Sequence, residues 1–272
     1  MNAVPLDASF LAVRPADGTA VTFSSPLNSP ETIHISAFNV RTQTSGKTLA
    51  WLQATPIGPF YDEKLDSFFF YYNPNRNSKH LVKATVDPVS LKIVNTTQSL
   101  HYGSSDAGVG FNVNSWAFDI HNRTICGTSS DPTTQATNFA CINVDQNAIT
   151  HQIAVEEDTP ICSYSSGTGI VCLSTTGLDQ NGCISMSSGE GIIFVPNISG
   201  PGKRVVAQIA APSTPVCPVN SAVLAFDNVF AVFSTASGSP GFWAVSLTNG
   251  TQSFVPVYNP DFSSNVESFL VF

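Results

Sequence analysis

The sequence is poor in charge: Asp, Glu, Lys and Arg make up only 11% of its 272 residues, where an average soluble domain has about a quarter. Acidic residues predominate and give a formal net charge of −8. Nucleic acids and anionic membranes repel a negative chain, so we expect neither as a partner. No apolar run approaches the ~18 residues of a membrane-spanning helix, and we expect no membrane span.

Several familiar motifs are also missing. The sequence has no Gly-x-Ser-x-Gly, no His-Glu-x-x-His and no Cys-x-x-Cys, which disfavours α/β-hydrolases, zinc proteases and zinc or redox cysteine motifs. Gly108-Val109-Gly110 is not followed by a helical pattern, so it does not indicate a phosphate loop. Residues 1–4 have neither a basic start nor an apolar core, and we interpret them as the start of a mature chain instead of a signal peptide.

What the sequence does contain is a repeat. Five times a short apolar stretch ends in a triplet of a polar, an aliphatic and a polar residue: Asn39-Val40-Arg41, Thr85-Val86-Asp87, Asn143-Val144-Asp145, Asn197-Ile198-Ser199 and Ser246-Leu247-Thr248. Successive aliphatic positions are 46, 58, 54 and 49 residues apart. A period of about fifty residues without a helical pattern is typical of a β-propeller, in which each repeat forms one four-stranded blade.

The repeat predicts an all-β chain with a single domain over residues 1–272, a five-bladed propeller of four-stranded blades. We label the strands of a blade A to D from the axis outwards, and expect Ile170-Val171-Cys172-Leu173 as strand A of the fourth blade. The predicted blades are approximately residues 9–54, 55–99, 108–156, 166–211 and 217–258. Residues 262–272 are predicted to form a further strand that closes the ring. A six-bladed ring split between the termini is the alternative.

The cysteines indicate the redox environment of the compartment in which the protein works. There are six: Cys126, Cys141, Cys162, Cys172, Cys183 and Cys217. An even number of cysteines in a weakly charged chain favours disulfides and an oxidising environment. Six cysteines allow fifteen pairings. Neighbouring strands in the predicted blades favour Cys126–Cys141 and Cys172–Cys183, which leaves Cys162–Cys217. Buried free thiols are the alternative for some of them.

Four Asn-x-Ser/Thr sequons, at Asn95, Asn122, Asn197 and Asn249, predict glycosylation and support secretion. In a propeller the A–B and C–D turns lie on one face, which we call the turn face. The B–C and D–A connections lie on the opposite face, which we call the loop face. All four sequons map to the turn face or the outer rim, and a glycan there would leave the loop face open. The loop face is therefore the candidate functional face, with chance placement of the sequons as the alternative.

Polar and aromatic residues in the predicted loop-face connections are the candidate ligand contacts. They are Asn75, Arg76, His80, His101, Tyr102, Glu157, Tyr164, Glu190 and Tyr258. Other polar residues map to the turn face: Asp62 and Asp66 in an A–B turn, where Asp is a common turn former, and Asp119 and His121 at the end of a strand A. We do not assign ligand binding to these four.

Two groups in the loop-face connections have the composition of a catalytic or metal site. Glu156, Glu157 and Asp158 are consecutive; they could act as acid and base, or Glu156 and Asp158 could bind Ca²⁺. His101 could act as a base oriented by Asp106. A solvated acidic loop and a surface histidine are the simpler interpretations of the two groups.

One segment of the repeat carries a resemblance to known proteins. The residues Leu81-Val82-Lys83-Ala84-Thr85-Val86-Asp87-Pro88, followed by Leu91-Lys92-Ile93, resemble the third-to-fourth strand hairpin of the YVTN and gluconolactonase-like propeller superfamilies, and residues 139–149 match it more loosely. The resemblance implies the propeller fold, which binding proteins and enzymes share. Gluconolactonase-like propellers hold a metal with acidic and Asn side chains at the channel mouth, but a full set of those ligands does not align here.

These observations predict a secreted glycoprotein that binds a polar ligand, a glycan or a small molecule, at the loop face over the central channel. One alternative is a secreted hydrolase or lactonase-like enzyme that uses carboxylates at the channel mouth. Another is a structural extracellular protein. Because the five repeats differ in sequence, we expect one unique site and not five identical ones. We expect a monomer, and Ca²⁺ is the one candidate cofactor.

Overall fold

The computed structural model of the protein describes residues 10–24, 32–52, 56–72, 80–101, 110–111, 116–130, 137–155, 161–174, 191–196, 203–209, 223–234 and 241–256. Within these ranges the regular elements are all β-strands, linked mostly by antiparallel hairpins. In this part of the chain no helix has the length and hydropathy needed to cross a bilayer.

The strands form five antiparallel sheets that follow one another along the chain. The first sheet consists of β1 (Phe10–Arg14), β2 (Thr19–Ser24), β3 (Thr32–Asn39) and β4 (Thr44–Leu52). The second consists of β5 (Ile57–Asp62), β6 (Ser67–Tyr72), β7 (His80–Val86) and β8 (Ile93–His101). The third consists of β10 (Ala117–Asp119), β11 (Thr124–Ser130), β12 (Thr137–Asn143) and β13 (Ala148–Val155), with the short β9 (Gly110–Phe111) also paired to β11.

The last two sheets have the same order. The fourth consists of β14 (Ile161–Ser165), β15 (Gly169–Leu173), β16 (Gly191–Pro196) and β17 (Lys203–Ile209). The fifth consists of β18 (Val223–Phe226), β19 (Val229–Ser234), β20 (Gly241–Ser246) and β21 (Gln252–Pro256). The first strands of neighbouring sheets lie against one another, β1 with β5, β10 with β14 and β14 with β18, so strand A is innermost. The prediction of an all-β, five-bladed propeller is confirmed; the predicted closing strand over residues 262–272 lies outside the described residues.

Each blade packs face to face on the next, and strand β6 shows how the sequence permits this. All of its residues are buried. Phe68, Phe70 and Tyr72 pack in the hydrophobic cluster shared with the first blade, while Phe69 and Tyr71 pack in the cluster shared with the third. Alternate residues of a strand point to opposite faces of the sheet, so this run of aromatic residues fills two inter-blade cores at once.

The repeated triplet has a local structural cause in three of the blades. The side chains of Asn39 and Asn143 each accept two backbone N–H groups of the following C–D turn, at 2.9–3.1 Å. The hydroxyl of Ser246 does the same more weakly, at 3.3 and 3.4 Å. Such side-chain to backbone bonds stabilise tight turns.

The aliphatic residue of the triplet ties the C–D turn to the A–B turn. The backbone N–H groups of Val40, Val144 and Leu247 donate to the carbonyls of Gly18, Arg123 and Asn228 respectively, at 2.8–2.9 Å. Val144 and Leu247 are also buried, at 2% and 5% exposure. The repeat thus marks the point where the two turns of a blade meet.

In the second blade the residue that caps the C–D turn lies two positions later than the first residue of the predicted triplet. Asp87, the last residue of Thr85-Val86-Asp87, is the one that caps the turn, accepting the N–H groups of Val89 and Ser90 at 3.1 and 2.6 Å. The equivalent of Val40 is therefore the buried Pro88. Proline has no N–H to donate, so this blade lacks the bond to the A–B turn.

The fourth blade departs from its predicted strands. Ile161–Ser165 forms strand A and Gly169–Leu173 forms strand B, whereas the sequence predicts residues 170–173 as strand A. The sequence of β14, Ile-Cys-Ser-Tyr-Ser, lacks the continuous apolar run by which strand A was recognised elsewhere. The turn between the two strands is short and includes Gly167, whose N–H bonds the carbonyl of Asp227 in the next blade.

The strand shift changes the disulfides. Cys126–Cys141 is present as predicted, because the two residues are direct partners on β11 and β12. Cys162 is bonded to Cys172, its direct partner across β14 and β15. The predicted pairs Cys172–Cys183 and Cys162–Cys217 are therefore wrong, because both were derived from the misplaced strand A. Cys183 and Cys217 lie outside the described residues.

Candidate functional site

On the turn face, polar side chains join each described blade to the next. Arg14 of the first blade reaches Asp66 of the second at 3.2 Å. Asp62 of the second blade binds Arg123 of the third. The ring of His121 in the third blade lies 6.2 Å from that of Tyr164 in the fourth. The hydroxyl of Ser165 in the fourth blade donates to the backbone carbonyl of Asp227 in the fifth.

The strongest of these contacts is a network centred on Arg123. Its guanidinium donates to both carboxylate oxygens of Asp62, at 2.6 and 2.7 Å, and to Asp145 at 2.8 Å. The Asp62 side chain is only 1% exposed, whereas that of Asp145 is 42% exposed. Hydrogen bonds from Arg123 hold the pKa of Asp145 below its usual value. Lys64 adds a longer contact to Asp145, at 3.4 Å.

A buried lysine lies behind this network, between the second and third blades. The Lys83 ammonium group donates to the backbone carbonyl of Val144 at 2.9 Å and lies 4.8 Å from the centre of the Phe69 ring. Burial lowers the pKa of Lys83, while the nearby Asp62 raises it in opposition. Tyr71 is its direct partner on β6, and burial raises the pKa of the Tyr71 hydroxyl. These groups connect the two blades internally.

Asp62 has the turn-forming role expected from the sequence, and Asp119, for which the sequence predicted only a position at the end of strand A, has the same role. Asp62 accepts the N–H of Lys64 at 3.0 Å, and Asp119 accepts those of His121 and Asn122, each at 3.0 Å. The ion pair with Arg123 was not anticipated, because the partners are 61 residues apart and belong to different blades. No pattern within a single repeat indicates such a pairing.

Three sequons lie where the sequence placed them. Asn122 is in the A–B turn of the third blade, Asn249 is in the C–D turn of the fifth, and Asn95 is near the start of β8; all three are exposed. Both turn amides form local hydrogen bonds. The Asn122 side-chain NH₂ donates to the Asp119 carboxylate at 2.8 Å, and the Asn249 side-chain oxygen accepts from the Thr251 hydroxyl at 2.8 Å. The fourth sequon, at Asn197, lies outside the described residues.

On the loop-face side, residues 174–190 separate the end of β15 from the start of β16, and residues 210–222 separate β17 from β18. All of these residues except Ser174 lie outside the described part of the chain. On the turn face, six residues (87–92) separate the described strands β7 and β8. Most candidate residues fall in loop-face segments outside the described residues: Asn75, Arg76, Tyr102, Asp106, Glu156, Glu157, Asp158, Glu190 and Tyr258.

Three sequence-predicted site residues lie within described strands. His80 is the first residue of β7 and His101 the last residue of β8, and the two are direct partners in the ladder. They were predicted in separate connections, and the sheet brings them together at the loop-face end of the second blade. Tyr164 was also predicted on the loop face. That placement is wrong, because Tyr164 lies in β14 beside His121 of the turn face.

Acidic, histidine and cysteine side chains do not form a clear metal centre in the part of the chain that the structure describes. No group of three or more of them is arranged there to hold an ion. The candidate calcium ligands Glu156 and Asp158 lie outside that part. On the turn face, the described polar side chains form ion pairs between blades and cap turns, which are structural roles.

Comparison with known proteins identifies the fold. No family model matches this chain, and no curated protein matches it significantly. Solved structures do. The structure of U3-55K is 13% identical with a TM-score of 0.51, over 98% of this chain and 85% of that one. The β-propeller domain of Cps50 (Swd1) from Myceliophteria thermophila is 9% identical with a TM-score of 0.51, over 93% of this chain and 87% of that one. At such identities the likeness establishes a β-propeller and nothing about function.

Proposed function

We propose that this chain is a secreted β-propeller that binds one polar ligand, a glycan or a small molecule, at its loop face. The observation that carries the proposal is the difference between the two faces. On the turn face, described polar side chains such as Asp62, Arg123 and Asp119 are engaged in joining blades and capping turns. On the loop-face side, 17 residues (174–190) separate β15 from β16 and 13 residues (210–222) separate β17 from β18. Long loops on a rigid scaffold are where binding sites commonly form.

Two further observations support secretion. The Cys126–Cys141 and Cys162–Cys172 disulfides are compatible with an extracellular protein. The sequons at Asn122 and Asn249 are exposed on the turn face, and glycans attached there would leave the loop face accessible. Low charge suits a polar, uncharged ligand better than an anionic polymer.

The proposal is tested by binding of protein from a eukaryotic secretory host to an array of glycans and a panel of small polar molecules. For a ligand found in this way, Arg76→Ala and Tyr102→Ala are each expected to weaken binding about tenfold or more, a change of ~1.4 kcal/mol. Lys92→Ala is the matched control, because Lys92 is exposed in a C–D turn. Titration calorimetry on all four proteins measures the effect, with melting temperatures to verify folding.

Two outcomes would contradict this assignment. One is an equal loss of affinity in the Lys92→Ala variant, since that would place the ligand on the turn face. The other is a wild-type protein that binds nothing on the array or in the panel.

A hydrolase is the second candidate, because an acidic segment comes shortly before a disulfide-bonded strand in the sequence. Glu156, Glu157 and Asp158 precede β14 by a few residues, and Cys162 of β14 is bonded to Cys172. In this proposal two of these carboxylates hold Ca²⁺ or act as acid and base. If the chain is a hydrolase, the wild type should hydrolyse a lactone or ester, and the Glu156→Gln/Glu157→Gln double variant should lose this activity. The same hypothesis predicts a melting temperature that Ca²⁺ raises, because the folded state alone binds the ion. Unchanged hydrolysis in the double variant, or its absence in the wild type, would exclude catalysis by these residues.

A further inference from the structure

Asn249 is followed by the residue type that leaves the next backbone nitrogen least covered. It lies exposed in the C–D turn of the fifth blade, and the next residue is Gly250. In the described part of the chain every other asparagine precedes a residue with a side chain. Because glycine has no Cβ, its nitrogen can approach the side-chain carbonyl carbon of Asn249 with little steric hindrance.

The hydrogen bonds of this turn polarise the Asn249 side chain for such an approach. Its Oδ1 accepts the backbone N–H of Thr251 at 3.0 Å and the Thr251 hydroxyl at 2.8 Å. Two donors on a carbonyl oxygen stabilise the negative charge that develops there when a nucleophile adds to the carbon. Neither of these bonds retains Nδ2. By contrast, Nδ2 of Asn122 donates to the carboxylate of Asp119 at 2.8 Å.

An aspartate already occupies the same kind of turn elsewhere in the protein. Asp17-Gly18-Thr19 lies between β1 and β2 of the first blade, and its glycine has a φ of +79°, against +72° for Gly250. Each glycine donates to the carbonyl four residues earlier, at 3.0 and 2.8 Å. In both turns the threonine N–H and hydroxyl donate to the first side chain. A change of Asn249 to aspartate is therefore compatible with its turn.

We propose that Asn249 is a site of spontaneous deamidation in the folded protein. The Gly250 nitrogen, after losing its proton to hydroxide, bonds to Cγ of Asn249, and the Cγ–Nδ2 bond breaks with release of ammonia. Water then opens the succinimide to aspartate or isoaspartate. The Gly250 N–H must first leave the Ser246 carbonyl, and an exposed turn opens locally at low cost.

The modification has two chemical consequences. It adds a negative charge at neutral pH, and it destroys the Asn249 sequon, because aspartate does not accept a glycan. A glycan attached to Nδ2 beforehand removes ammonia as the leaving group and should protect the site. The reaction itself depends neither on secretion nor on the polar-ligand site of the proposed function.

The test uses unglycosylated protein from the bacterial periplasm, where disulfides form, incubated at mildly alkaline pH in water labelled with heavy oxygen. Peptide mapping by mass spectrometry is expected to show labelled aspartate and isoaspartate in place of Asn249, because water supplies an oxygen atom when the succinimide opens. Conversion is expected to be about tenfold or more faster than at Asn39 or Asn143, since both precede a β-branched valine that hinders the approach.

Two variants examine the contribution of the turn. Thr251→Val removes the hydroxyl donor and should slow the conversion, whereas Thr251→Ser keeps the hydroxyl and should react like the wild type. Melting temperatures verify that each variant folds. Asp17 is the internal reference, because hydrogen bonds from Arg14 lower the pKa of its carboxyl group. An ionised carboxylate is a poor electrophile, so Asp17 should take up no label.

Three results would overturn the proposal. The first is the absence of label at Asn249 in the folded wild type. The second is a conversion no faster than at Asn39 and Asn143. The third is an equal rate in the Thr251→Val and Thr251→Ser variants, since the hydrogen bonds of the turn would then not promote the reaction.

Discussion

Replacing Arg123 by Met is expected to lower the free energy of unfolding by about 3–5 kcal/mol, because it leaves the buried Asp62 carboxylate without its positively charged partner. The Asp62 side chain is 1% exposed and receives two hydrogen bonds from the Arg123 guanidinium, at 2.6 and 2.7 Å. Without them, its remaining described hydrogen bond is to the N–H of Lys64, at 3.0 Å. Equilibrium unfolding in urea, followed by tryptophan fluorescence and circular dichroism, measures the loss.

Arg14→Met provides the matched control. Arg14 also joins two blades, but its partners Asp17 and Asp66 are 46% and 66% exposed. Ion pairs with such solvent-exposed carboxylates contribute about 0–1 kcal/mol, so a small loss is expected. Adding Asp62→Asn to the Arg123→Met variant should recover part of the stability, because the buried charge is removed. Equal losses in the two arginine variants would show that burial of Asp62 does not determine the effect.

The same variant should change the response to acid. Arg123 lowers the pKa of Asp145 in the folded state. A carboxyl group with a lowered folded pKa contributes stability above its unfolded value, near pH 4, and loses it as the pH falls through the folded value. The stability difference between wild type and Arg123→Met should therefore be largest near neutral pH and decrease in acid. Asp145 is 42% exposed, so its share of this dependence is small.

Replacing Phe69 by Ala is expected to cost about 3–5 kcal/mol, the range for removing a large aromatic side chain from a core. Phe69 is 1% exposed. Its ring packs on Phe118 of the third blade, with centroids 5.1 Å apart, and on Phe60 of its own blade at 5.3 Å. It also lies beneath the Lys83 ammonium group. The variant thus removes part of the apolar contact between the second and third blades, and calorimetric unfolding should show a lower melting temperature.

Phe254→Ala separates this effect from the loss of any phenylalanine. Phe254 lies on the outer strand β21, is 37% exposed and contacts Trp243 of its own blade. Because much of its surface is already in water, its removal should cost clearly less than that of Phe69. If both variants lost the same stability, packing between the second and third blades would not be the main contribution of Phe69.

The part of the fold that could be predicted from the sequence depends on local chemistry repeated along the chain. Asn39 and Asn143 cap their own C–D turns, and Ser246 has the same role in the fifth blade, so this short-range chemistry is recognisable in the sequence as a repeated triplet. The pairing of Cys126 with Cys141 followed from adjacent strands within one blade. Where the local signal weakened, the predictions failed: β14, in which apolar and polar residues are mixed, was missed, and Tyr164 and the partner of Cys162 were misplaced with it.

By itself, the sequence determined the five-bladed architecture, because turn caps and alternating apolar residues act over a few neighbouring positions and are visible in each repeat. Only the tertiary structure decided which blades share charges and which distant residues become neighbours. Asp62 meets Arg123 across 61 positions of the chain. The backbone of His80 pairs with that of His101, next to the buried pair Leu81 and Leu100. Both contacts arise from packing between and within sheets, and packing depends on the whole ring instead of on any one segment.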